Sequence, residues 1–161
     1  MLWNALKKIS FKEFRGLFVL CLKHPLYVIP TLRATYDCIE ICSKLYGNTH
    51  HLHNPANAVR HALWNLMIAQ YCHRWNRDEM RVLAWTHLIT DWHEDFSVNQ
   101  PLERAMDLHN NQVGRDLFAS LKTLSTEQIV TSLQVKATHA VQINTVESIE
   151  SHPNQLVYLT P

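Results

Sequence analysis

Imidazole, carboxylate and amide side chains recur at helical spacing in three otherwise apolar stretches of this chain. In the first, Asn57, His61 and Asn65 stand four residues apart, with Arg60 and Trp64 on the adjacent line, so they form a polar stripe on one helix face. In the second, His87, Asp91 and then Glu94 or Asp95 stand at i, i+4 and i+7 or i+8, while His93 projects elsewhere, nearer to Thr86 and Thr90. In the third, Glu103, Asp107, Asn110, Asn111 and Gly114 share one side. A glycine in a helix interior costs roughly 1 kcal/mol relative to alanine, so Gly114 implies close approach of another backbone or of a ligand.

These residue types suit two chemistries. A neutral imidazole and carboxylates can gather a divalent metal such as zinc, with amides orienting the ligands. Alternatively, His61, His93, Glu94 and Asp107 can act as acid and base, with Glu94 activating water. The H-E-x-x-H metal helix is incomplete, because Asp95, Phe96 and Ser97 follow His93-Glu94. Further ligands must come from other helices, and the metal candidates are His61, His93 and Asp107. Arg60, Trp64, Asn65, Asn110, Asn111 and Gly114 are expected to contact substrate or to support that set. The competing reading is a buried hydrogen-bond network that sets helix register and binds nothing.

The elements that must position these groups are helices. The chain has 161 residues, 47% apolar and 18% charged, with only 3 glycines, too few for a fold of many tight hairpins. We expect an all-α bundle of about five to six helices. Periodicity predicts helices over Thr31–Tyr46 (ended by Gly47), Asn57 to about Trp75 (Asn57 as cap), Asp78 to Phe96, Leu102 to Leu121, and from a Ser125 capping box to about Val141. The second of these to follow Gly47 should bury Met80, Leu83, Ala84, Leu88 and Ile89. Residues 156–159 read as one short extended segment without an internal partner, and the loop holding His50, His51 and His53 reads as facing solvent. Four cysteines without a C-x-x-C pair read as reduced core thiols.

Charge divides the chain. Residues 1–47 carry seven basic and three acidic side chains, a local +4, within a total of +1. That total gives nucleic acid no general attraction. In residues 1–30, Lys7, Lys8, Lys12 and Arg15 accompany Trp3, Phe11, Phe14 and Phe18. The apolar run is too short and broken to span a bilayer, and no convincing signal peptide is read, so a cytoplasmic or peripheral-membrane location is expected. Residues 1–47 are therefore expected to be a basic amphipathic helical arm on or next to a domain of residues 48–161. Packing on that domain, on a second copy in a homo-oligomer, or on a membrane surface all stay open.

The segments Arg60-His61-Ala62-Leu63-Trp64, His93-Glu94 and Met106-Asp107-Leu108-His109-Asn110-Asn111-Gln112-Val113-Gly114 resemble, in order, the R-H-A-x-W, H-E and M-D-x-x-N-N-x-x-G signature of a bacterial family of unknown function. The resemblance covers residues 57–115 and implies a small helical domain, found alone or within polymorphic-toxin-type proteins. It turns the His93-Glu94 face inward and leaves His87 and Asp91 as support or surface. The expected activity is hydrolysis of an ester or phosphoester by activated water, since no serine or cysteine has a nucleophile's setting. The alternative is a binding or adaptor module.

Overall fold

The computed structural model describes residues 11–97 and 99–160, the side chains of residues 11–14 and of Phe96 excepted. Trp3, Lys7 and Lys8, and the side chains of Phe11, Lys12 and Phe14, thus lie outside the description. Eight helices are described, six of them seven residues or longer, with one very short strand pair. They are α1 (Phe11–Lys23), α2 (Pro25–Tyr46), α3 (Pro55–Trp75), α4 (Glu79–Phe96), α5 (Pro101–Asp116), α6 (Phe118–Leu121), α7 (Thr126–Ala137) and α8 (Val146–Glu150). The strands are β1 (Val141–Gln142) and β2 (Val157–Tyr158).

Helix α3 is the axis of the bundle and packs against α2, α4, α5 and α7. Its run Leu66-Met67-Ile68-Ala69 is wholly buried, as expected of a helix with neighbours on every side. Ala34, Cys38 and Cys42 of α2 belong to the same core, and both cysteines are free thiols. Helix α2 begins at Pro25, earlier than predicted. Pro30 lies inside it, but one lost hydrogen bond is outweighed by the docking of Tyr27, Thr31 and Ala34 in the core. Gly47 ends the helix at φ 58°, a conformation suited to glycine.

Other boundaries also moved. Asn54, not Asn57, caps α3, and its side chain accepts the Asn57 N–H. Helix α4 buries Val82, Trp85, Thr86, Ile89, Thr90 and Glu94, whereas Met80, Ala84 and Leu88 are exposed. The threonine hydroxyls donate to the carbonyls of Val82 and Thr86, both at 2.9 Å, so polar residues can take the inward stripe. The helix predicted to reach Leu121 breaks after Asp116, and the break turns Phe118 into the core against the His73 ring. The helix predicted to reach Val141 ends at Ala137.

The C-terminal segment does find a partner. Val157-Tyr158 pairs in parallel with Val141-Gln142, and the intervening residues 143–156, including α8, form the crossover. No strand signal was legible at Val141 because two residues are too few to display alternation.

Candidate functional site

The site forms where α3, α4 and α5 meet, and a helix contact without side chains sets its dimensions. A Cβ added to Gly114 of α5 would lie 2.8 Å from Ala62 Cα and 2.9 Å from its carbonyl carbon on α3. Only glycine permits that approach. It holds His61, the residue before Ala62, against Asn111, one turn before Gly114.

His61 is 3% exposed and meets polar groups around its ring. Its Nδ1 lies 3.1 Å from Asn111 Oδ1 and 3.6 Å from Glu94 Oε1. Its Nε2 lies 3.1 Å from Asp107 Oδ1 and 2.7 Å from the Arg60 guanidinium. Glu94 and Asp107 are 1% and 4% exposed.

The surrounding amides fix the histidine tautomer. Arg115 Nη1 donates to Asn65 Oδ1 at 2.9 Å, which leaves the Asn65 amide nitrogen to donate to Asn111 Oδ1 at 2.7 Å. Asn111 therefore turns its oxygen to His61 and its nitrogen towards Glu94, 3.4 Å away. An oxygen facing Nδ1 requires a proton on Nδ1, so neutral His61 carries its lone pair on Nε2. Arg60 donates to that lone pair.

Asp107 Oδ1 faces it as well. Asp107 Oδ2 accepts from the Asn99 amide at 3.0 Å, but Oδ1 is buried without a hydrogen-bond donor among the described residues. Two acceptors 3.1 Å apart require a proton or a cation between them. Burial raises Asp107 to about 7, with the Arg60 charge opposing and Glu103 adding to the rise. Burial, then the nearby Asp107, raises Glu94 to about 8. Burial, with Arg60 second, holds His61 well below its ordinary value. One ligand atom from each of His61, Glu94 and Asp107 lies within 4.8 Å of the other two, so these residues could hold a metal ion.

Other predicted residues are placed elsewhere. His93 is exposed and presents its ring edge-on to Trp64, 5.2 Å between centroids. It is absent from the metal-capable group among the described residues, where Glu94 stands instead. Trp64 donates its indole N–H to the Thr35 hydroxyl at 2.9 Å. Asn110 points to β2, donating to the Val157 carbonyl at 2.9 Å and accepting its N–H at 3.0 Å. His87 and Asp91 form an i,i+4 pair at 2.8 Å with the imidazole more than half exposed. In the loop read as solvent-facing, His51 is exposed, but His50 is fully buried beside the Ser43 hydroxyl and His53 pairs with Glu103 at 3.2 Å. With its Nδ1 unpartnered among the described residues, His50 is lowered to about 4, mainly by desolvation and then by His51.

The sequence reading omitted Arg115, Thr90 and Asn99 from the site. Arg115 was detectable in principle, since it stands four residues beyond Asn111 on the inward stripe.

No curated protein and no solved structure matches this chain. Residues 18–141, most of its length and all three helices of the site, match the family described as Domain of unknown function (DUF6973), and the chain belongs to that family.

Proposed function

We propose that the protein is a hydrolase acting on an ester or phosphoester, with a divalent cation held by His61, Glu94 and Asp107. The observation that carries this reading is the facing pair of acceptors, His61 Nε2 and Asp107 Oδ1, with Glu94 beside them. A one-histidine, two-carboxylate set suits zinc or manganese. Such a cation, when bound, would polarise a carbonyl or phosphoryl oxygen and lower the pKa of water beside it. Asn111 and Asn65 keep the imidazole in the ligating tautomer. Glu94 is the candidate to take a proton from attacking water, and among the described residues His61 contacts amide, guanidinium and carboxylate groups, not a serine or cysteine nucleophile.

A second reading has its own support. Asn111 is fully buried, Glu94 is 1% exposed, and the Arg60 cation already touches His61 at 2.7 Å. On that reading the cluster fastens α3, α4 and α5 within a binding or adaptor module. Metal analysis of protein purified without chelator or added metal separates the two. Stoichiometric zinc or manganese, lost in Asp107→Asn and accompanied by hydrolysis of p-nitrophenyl esters or phosphodiesters, supports the hydrolase. Metal-free protein that takes up neither cation favours architecture.

A further inference from the structure

We propose that the outer face of α1 and α2 docks on an anionic lipid bilayer, α2 lying flat in the interface. On α1, Phe18, Val19 and Leu22 are 55%, 42% and 64% exposed. On α2, Leu26, Ile29, Leu32 and Tyr36 are between 55% and 66% exposed. At 100° per residue the first group covers an arc of about 100° and the second about 120°, so each helix carries one continuous apolar face. The opposite sides are committed to the protein: Leu17 and Leu20 pack on the core, and Tyr27, Ala34, Cys38 and Cys42 lie within it. Such a face is larger than scattered surface leucines would make.

Charge identifies the occupant. Arg15 falls inside the α1 arc with Lys23 at its border, and Arg33, 77% exposed, falls inside the α2 arc. Asp37 stands 4.0 Å from Arg33, and the α2 face ends at the internally neutralised Glu40–Lys44 pair. Over residues 15–47, four basic side chains (Arg15, Lys23, Arg33, Lys44) stand against two acidic ones (Asp37, Glu40), a net +2. A two-fold contact between copies would set these cations against themselves, whereas anionic headgroups accept them while the apolar side chains enter the acyl boundary. At the elbow, Lys23 and Leu26 join Arg81 and Leu88 in lining a cleft of about 510 Å³. No single described helix is long and apolar enough to cross a membrane; α1 and α2 together are by length and composition alone, but they bend by 117°. With its other side locked in the core, α2 can lie on a bilayer but not cross it.

The inference does not depend on the proposed hydrolysis. Co-sedimentation of the full chain with phosphatidylcholine vesicles, with and without phosphatidylserine, tests it. Binding should require phosphatidylserine. Arg15→Gln, Lys23→Gln and Arg33→Gln should each lower partitioning about fivefold, and together about 100-fold. Ile29→Gln with Tyr36→Gln should lower it about tenfold or more. All five positions are exposed, and thermal melts establish folding; should one set fail to fold, the other set still reads the face. Equal binding to neutral vesicles, or no loss in a folded set, overturns the proposal. A dimer in sedimentation velocity that Ile29→Gln dissolves would assign the face to a second copy and likewise overturn it.

Discussion

Gly114 and Ala62 touch backbone to backbone, and the space a β-carbon would need at position 114 is filled by the Ala62 main chain. Elsewhere on an exposed helix, glycine to alanine gains about 1 kcal/mol. Here Gly114→Ala should instead destabilise by about 2 kcal/mol or more, because rigid backbone cannot move aside as a side-chain tip can. Its melting temperature should fall by about 4–8 °C. A melt at or above the parent's would mean that α3 and α5 can separate freely.

The amide relay makes the protonation site of His61 observable. Nitrogen NMR should find the proton on Nδ1 and a bare Nε2 in the metal-free protein. Asn111→Leu removes the oxygen that selects this tautomer, so the proton should redistribute towards Nε2 and Asp107. Arg115→Gln should act in the same direction through Asn65, more weakly, while the fold persists. An unchanged His61 spectrum in Asn111→Leu would remove the relay.

Stability should fall as pH rises through the range in which the buried carboxyls lose their protons. Glu94 titrates at about 8 in the folded chain, above its ordinary 4.5, so the folded state binds more protons than the unfolded state between those values. Asp107, raised to about 7, acts in the same sense. His61 is depressed, so its contribution is present above its ordinary value and is lost as pH falls below it. Chemical denaturation with chelator present should therefore give stability that weakens towards about pH 8. Glu94→Gln should flatten that limb, and a limb of equal slope in the variant would contradict the assignment.

Metal should reverse the pH effect. Zinc or manganese at about 100 times its dissociation constant should raise stability by about 2.7 kcal/mol and release protons from Glu94 and Asp107, measured calorimetrically in two buffers. Asp107→Asn should lose this response. In the metal-free state the same variant should hold or gain stability at neutral pH, because its amide can donate to His61 Nε2. Loss of stability in metal-free Asp107→Asn would mean that the carboxylate serves as an anion for Arg60.

Much of this centre is legible from spacing. His61 with Asn65, and Asp107 with Asn111, are polar residues four apart on buried stripes of helices that the sequence places. Convergence between helices is harder to read. Choosing Glu94 over His93 as the inward member depends on how α4 is rotated, and that rotation follows Thr86 and Thr90, whose polarity hides from hydropathy the fact that their hydroxyls are satisfied locally. Asn110 looked like its neighbour Asn111 but faces 100° away, where it imitates a strand's hydrogen bonding to Val157. The buried state of His50 depends on the 3-10 turn Thr49–His51, an element without a periodic signature.

The last strand ties together parts of the chain that are far apart in sequence. Val157 is bound by Asn110, Val141 and Ile143 donate to Leu156 and Tyr158, and Leu159 and Thr160 both donate to the His53 carbonyl. The bonds between Asn110 and Val157 span 47 residues and those to His53 span more, so these ties need α5 and the start of α3 in place first. A strap held by such ties should open as a unit of its own, and hydrogen exchange should find its amides less protected than those of α3. Its opening would free the His53 loop and uncover the small core of Met106, Ile143 and Ile149, which packs apart from the Gly114–Ala62 crossing.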